Sequence, residues 1–237
     1  MNRRYTNKIN WILDNLLPPF IRDNKLFMKI LFLPVLGRKS NQFMSFKELS
    51  SNLSLLELQK IYVELADKHQ KRETDLNSSC IDYIMQNIIG TKILDIACGR
   101  GFLAKKISDD SNKKVWGIDF VLSKNLTNTT NLNYIQADIE NIPFEDGFFD
   151  SVICTHTLEH VMNINKAISE LRRVCNNQII IVVPRQRSYL YSFDLHLHFF
   201  PYPHSLKLLM NNPSGICVSI DNDLIFHEKK RNQYISS

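Results

Sequence analysis

From residue 92 to residue 184, short β-branched runs alternate with helical stretches, and that alternation confines the chain to layered α/β folds. Ile93-Leu94-Asp95-Ile96 is a short apolar strand. Ala97-Cys98-Gly99-Arg100-Gly101 follows it, and a helix over about 102–108 comes next. Residues 114–118 predict a second strand, 134–136 a weaker third and 150–154 a fourth. A helix over 163–174 puts Ile164, Ala167, Ile168, Leu171 and Val174 on one stripe. Residues 179–183 form an uninterrupted β-branched run, which suits a parallel strand covered on both faces. Residues 216–220 and 224–227 flank Asp221-Asn222 and read as an antiparallel hairpin. The expectation is a doubly wound, seven-stranded, mostly parallel sheet. Residues 1–75 would be an N-terminal helical cap and 76–237 the cofactor-binding domain.

The chain has only seven glycines, and Gly99 and Gly101 both stand at the strand-to-helix corner. A ligand that touches backbone at such a corner needs it free of Cβ atoms. The helix that follows offers unpaired N–H groups to an anionic group. The Gly99 to Ala104 spacing also fits a dinucleotide fold, so the corner alone leaves a nicotinamide cofactor open. Three acids narrow the choice. Asp95 closes the first strand, Asp119 the second, where a carboxylate takes ribose hydroxyls, and Asp138 the third, where it takes an exocyclic amine. An acidic cleft also suits a sulfonium cation better than a phosphate.

The stretch from Ile93 to Gly101 resembles motif I of the class I S-adenosylmethionine (SAM)-dependent methyltransferases, especially the "methyltransferase domain 11" type. The stretch from Ala137 to Phe144 is similar to that family's adenine segment. The run from Phe149 through His160-Val161 resembles its fourth-strand motif, and Leu171-Arg172-Arg173-Val174 the helix before strand five. The likeness covers about 90–184, with a fitting end at 215–229. It implies that Asp95, Ala97, Gly99 and Gly101 line the methionine part of SAM. It places Asp119 and Phe120 at ribose and adenine, Asp138 and Ile139 at adenine, and Cys154 and Thr155 on the sulfonium side. Asn176-Asn177-Gln178 departs from the family's Pro-Gly-Gly turn.

Ligand clefts in open α/β sheets lie at the carboxyl ends of the strands. The aromatic, imidazole-rich segment 185–205 is therefore expected to wall the substrate. Arg185, Tyr191, Asp194, His196 and His198 are its candidate substrate contacts. Methyl transfer needs alignment above all, and a hydroxyl acceptor also needs a base. His156 and His160 are the nearest candidates for that base, with His196 or His198 beside Asp194 as a second choice. The alternating Asp194, His196 and His198 could share a strand face around a metal. Such triples are more often hydrogen-bonded, and no metal is expected. Cys154-Thr155-His156-Thr157 stands where enzymes that methylate nucleic-acid amines carry a Pro-Pro motif. The acceptor expected is thus a small molecule, or a glycan- or lipid-linked one, methylated on oxygen or carbon. The alternatives are a SAM-binding pseudoenzyme acting through protein interaction, an RNA methyltransferase and an NAD-dependent oxidoreductase.

Charge matters at one end only. Residues 1–47 carry nine Lys and Arg against Asp14 and Asp23, or +7, so the rest carries −2 of the net +5. Helical spacing over Ile9, Ile12, Leu13, Leu16 and Leu17 should stop at Pro18-Pro19. A short helix to Pro34, one across 45–67 capped at Ser50 or Ser51, and one over 78–89 ended by Gly90 should follow. The basic segment reads first as a lid on the cleft, with its charges solvated. Second comes a membrane-surface segment over residues 1–40, and last a nucleic-acid patch. No signal peptide and no spanning helix is read, and five scattered cysteines suit a reducing compartment. A cytoplasmic protein, with or without contact to the inner face of a membrane, is expected.

Overall fold

The computed structural model describes residues 11–50, 52–69, 73–191 and 194–230. Seven strands form one sheet: β1 Lys92–Ile96, β2 Lys114–Asp119, β3 Leu132–Gln136, β4 Phe149–Thr155, β5 Cys175–Pro184, β6 Ile216–Ile220 and β7 Asp223–Lys229. Their order is β3-β2-β1-β4-β5-β7-β6. β1 to β5 run parallel, and the β6–β7 hairpin pairs antiparallel with β5. This is the doubly wound sheet expected from the alternation.

Side chains alternate along each strand, and helices cover both faces. Ile179, Ile181 and Val183 face one core, with Leu94 and Ile96, while Ile180 and Val182 face the other, with Ile93. The first core is closed by α8 (Ile164–Val174), whose Ile164, Ala167, Ile168, Leu171 and Val174 are all buried. Asn163 caps that helix by accepting the Lys166 N–H at 3.0 Å. The second core is closed by α6 (Ser78–Asn87) and α7 (Phe102–Ser108), through Cys80, Ile84, Leu103, Ala104 and Ile107.

A third core belongs to the N-terminal helices. Residues 11–15 form α1, followed by α2 Pro19–Arg22, α3 Lys25–Leu36, α4 Ser40–Ser50 and α5 Leu55–His69. Leu13, Met28, Phe32, Phe43, Met44, Phe46 and Leu58 pack there with Tyr189, Tyr191 and Leu195. The cap and the segment after β5 thus share one hydrophobic interior. Completing the helices, α9 spans Pro203–Met210.

Four local expectations are corrected. Pro34 lies inside α3, in its last turn, and Gly37 with φ 56° ends the helix instead. Pro18-Pro19 does not only stop a helix, since Pro18 caps α2 and Pro19 opens it. The single helix over 45–67 is two. Ser54 and Glu57 form a capping box for α5, with Glu57 Oε2 accepting the Ser54 N–H at 2.8 Å, so the cap is not Ser50 or Ser51. Asn176-Asn177-Gln178 is already strand, with Gln178 buried, so α8 passes straight into β5. The expected helix from Ile9 begins outside the described residues.

Candidate active site

The carboxyl ends of β1, β2, β4 and β5 open into one cleft of about 1160 Å³, roofed by Trp11, Asp14 and Asn15 of α1 and by residues 184–203. Single-ligand pockets run to roughly 1,000 Å³, so this one has room for two molecules side by side. Asp95, Ala97, Gly99, Asp119, Phe120, Asp138, Ile139, Thr155, His156, His160, Arg185, Asp194 and His196 all line it.

Sterics explain its floor. Ala97, Gly99 and Gly101 turn through φ of 56°, 55° and 74°. A Cβ added to Gly99 would meet nothing within 4 Å, so its main chain faces open space. A Cβ on Gly101 would stand 2.3 Å from Tyr134 Oη, so this glycine serves packing and lies off the main cleft. Gly117, not anticipated from sequence, has the same reason: a Cβ there would be 2.6 Å from the Tyr134 ring. Asp119 ties the floor together by accepting the Gly99 N–H at 2.7 Å and the Val121 N–H at 3.0 Å. Burial raises its pKa, and those N–H groups hold it back.

Asp95 is 2% exposed. Burial pushes its carboxyl up to about 7, the Ala104 N–H resists, and Asp119 adds to the rise. Its Oδ2 has no hydrogen-bond partner among the described groups. A buried carboxylate oxygen beside an open glycine backbone fits a ligand that brings an ammonium, as SAM does. Across the floor, Asp138 Oδ1 accepts the Glu140 N–H at 2.9 Å, and Gln59 and Gln136 both donate to the Phe120 carbonyl. Gln59 ties α5 to the edge where Asp119 ends β2.

At the end of β4 the first of the two candidate bases, His156, stands between two carboxylates. His156 takes φ 50°, a strained position, and sits between Glu159 Oε1 at 3.5 Å and Asp223 Oδ1 at 3.7 Å. Burial pulls the imidazole pKa down, but Asp223 and Glu159 outweigh it and raise it to about 10. An imidazolium has no lone pair at neutral pH, so His156 is not a neutral general base. Burial raises the Glu159 carboxyl, but the facing His156, with His160 and His196 nearby, outweighs it and lowers it. Cys154 is corrected too: its side chain is fully buried in the sheet core and does not line the cleft, while its neighbour Thr155 does.

The segment after β5 is not a strand, so Asp194, His196 and His198 do not share a strand face. His198 Nε2 donates to the Val161 carbonyl at 2.9 Å and holds the wall together. Tyr191 is buried in the cap core and does not line the cleft. Arg185, Asp194 and His196 do reach the cleft. His196 is buried, its pKa lowered to about 4 by that burial, and its Nδ1 lies 2.6 Å from Gln186 Oε1. His160 Nδ1 donates to the Leu195 carbonyl at 3.0 Å. Asp223 and Gln186 escaped the sequence reading. No local pattern marks either, because the β5–β7 pairing and the fold-back after β5 are what carry them into the site.

Residues 94–183 match the family described as "Methyltransferase domain". The chain is similar to a 2-phytyl-1,4-naphtoquinone methyltransferase of Trichormus variabilis, with 33% identity over 98 residues, 36% of this chain and 42% of that protein. It is similar to a malonyl-[acyl-carrier protein] O-methyltransferase of Buchnera aphidicola, with 38% identity over 109 residues, 41% of this chain and 44% of that protein. These matches span less than half the length of either relative. Among solved structures, the 1,6-didemethyltoxoflavin-N1-methyltransferase of Burkholderia thailandensis, with 1,6-didemethyltoxoflavin and S-adenosylhomocysteine bound, shares the fold. The TM-score is 0.58 at 12% identity, over 74% of this chain and 88% of that one. The open glycine corner, the acids at the strand ends and the family match agree: residues 94–183 form a class I SAM-dependent methyltransferase domain.

Proposed function

We propose that the chain is an enzyme that transfers a methyl group from SAM to oxygen or carbon of a small, lipid-linked or glycan-linked acceptor. The observation that carries this reading is the pairing of two carboxylates, buried Asp95 and half-buried Asp119, with the open backbone of Gly99. When bound, SAM supplies an electrophilic methyl group on a sulfonium. Asp95 would hold its ammonium. Asp119 already accepts two N–H groups, and its two remaining lone pairs would take ribose hydroxyls. Asp138 and Ile139 would flank the adenine. On the opposite wall, Arg185, Asp194 and His196 would orient the acceptor, and orientation is the main source of rate in such a displacement.

An apolar tail on the acceptor suits the cap. In α3, Leu26, Ile30 and Leu33 are exposed beside the exposed Lys25 and Lys29, while Met28 and Phe32 of the same helix are buried. That face would lie on an anionic bilayer surface, with the lysines at the headgroups. The name of one relative, a 2-phytyl-1,4-naphtoquinone methyltransferase, joins a ring to such a tail. Among the described residues no helix is long and apolar enough to cross a membrane, so contact would be peripheral.

Calorimetry with SAM, followed by transfer of labelled methyl groups to a cell extract separated into lipid, sugar and RNA, tests the reading. Heat with SAM, its loss by about 100-fold in affinity in Asp119→Ala, and label in lipid or sugar are expected. No heat sinks the cofactor assignment. Heat without label leaves a SAM-binding protein that is no enzyme, and label in RNA overturns the acceptor class.

A further inference from the structure

Three donor atoms meet on the acceptor wall. One atom each of Glu159, His160 and His196 lies within 4.8 Å of the others. Each side chain is braced from behind. A carbonyl can only accept, so the 3.0 Å contact to the Leu195 carbonyl puts the proton of neutral His160 on Nδ1 and the lone pair on Nε2. Gln186 donates its amide nitrogen to the Tyr189 hydroxyl at 2.7 Å, so its Oε1 is the group 2.6 Å from His196 Nδ1, and the lone pair of His196 also falls on Nε2. Imidazoles that bind metals are held in this way, with one nitrogen donating to a carbonyl and the other turned to the ion. The two rings stand 4.7 Å apart at 71°.

Glu159 supplies the second, independent observation. It is 1% exposed, and neither carboxylate oxygen has a hydrogen-bond partner among the described groups. Its carbonyl accepts the N–H groups of Leu197 and His198, which locks the β4 turn to the acceptor wall. His156 faces Glu159 from one side but faces Asp223 as well, and one imidazole cannot neutralise two buried carboxylates whatever its own charge.

We propose that Glu159, His160 and His196 bind one divalent first-row transition-metal ion, with Zn²⁺ as the probe. Two imidazoles and one carboxylate suit that class rather than Mg²⁺ or Ca²⁺, which prefer all-oxygen shells. Ligand atoms around a tetrahedral zinc stand roughly 3.3 Å apart, so donor pairs now up to 4.8 Å apart close by up to about 1.5 Å on binding. The Glu159 carboxylate makes no hydrogen bond among the described groups, so what it gives up in doing so is the 3.5 Å ion pair to His156. Three protein ligands leave a position open toward the cleft, where an acceptor oxygen can bind. The proposal deepens the methyltransferase reading by giving the acceptor wall its chemistry. It is tested without SAM or acceptor, so the two can fail separately.

The full chain, stripped with a chelator, is titrated with Zn²⁺ by calorimetry and loaded with Co²⁺ for proton NMR. One ion per chain is expected, along with two paramagnetically shifted, exchangeable imidazole N–H signals from His160 and His196. His160→Ala and His196→Asn are each expected to weaken Zn²⁺ binding by 100-fold or more. No ion bound, a Co²⁺ spectrum without two such signals, or unchanged affinity in both folded variants overturns the site. The NMR signals come from the native chain, so the test stands even if a variant fails to fold.

Discussion

Asp95 carries the sharpest consequence for a single residue. Asp119, Cys98, Cys154 and Tyr134 surround it electrostatically, and burial already lifts its carboxyl to about 7. A cationic ligand favours the carboxylate, so binding expels a proton below that pH. SAM affinity should therefore rise as pH climbs through about 7, and fall above about 8, where an α-amino group loses its charge. Calorimetry across pH 6–9 reads both limbs, and Asp95→Asn should flatten the lower one; a flat profile in the native chain would count against Asp95 as the ammonium's partner. Gly101 is a packing residue by the same kind of reasoning. Gly101→Ala forces a side chain into φ 74° and against Tyr134, for a loss of about 1–3 kcal/mol. Tyr134→Phe in the same chain removes the nearest atom and should return part of that loss in thermal unfolding; no recovery would mean the backbone angle alone sets the cost. The glycine corner and its acids were legible because each is a turn or strand-end residue beside its own strand. The protonation of His156 was not, since the carboxylates that hold it come from the β4 turn and from β7.

Among the elements, α3 is unusual in being apolar on both faces. Met28 and Phe32 account for its buried side, while Leu26 at 70%, Ile30 at 65% and Leu33 at 55% exposure have no reason within the fold to be apolar. Replacing those three by serine should abolish flotation with anionic vesicles and leave the thermal midpoint nearly unchanged. Undiminished flotation, or equal binding to neutral vesicles, would remove the membrane role. Apart from α9, which the sequence reading did not anticipate, strands and helices from 92 onward fell within a few residues of their expected ends because periodicity is local. The cap read less well for a physical reason. Pro34 forfeits the bond its N–H would give the Ile30 carbonyl, but α3 still runs to Leu36 before Gly37 ends it, and Ser54 caps α5 in a box with Glu57 three residues on.

For the molecule as a whole, the cap and the segment after β5 share one packed core. Phe32 is fully buried against the interior that Tyr189, Tyr191 and Leu195 complete. Phe32→Ala should cost about 3–5 kcal/mol of that packing. It should raise the KM for acceptor while SAM affinity, set on the floor by β1 and β2, stays near the native value; an equal loss of both would mean the cap and floor are not separable. The pattern of residues along the chain was enough for the alternating sheet, the glycine corner and the three acids, because strand period, turn chemistry and helix caps act over a few positions. Only folding brought Asp223 beside His156, Gln186 behind His196 and Tyr191 into the cap, and buried Cys154. Those facts depend on which distant strands pair and which loop folds back, and a side chain's charge or burial is a property of neighbours that can lie scores of residues away.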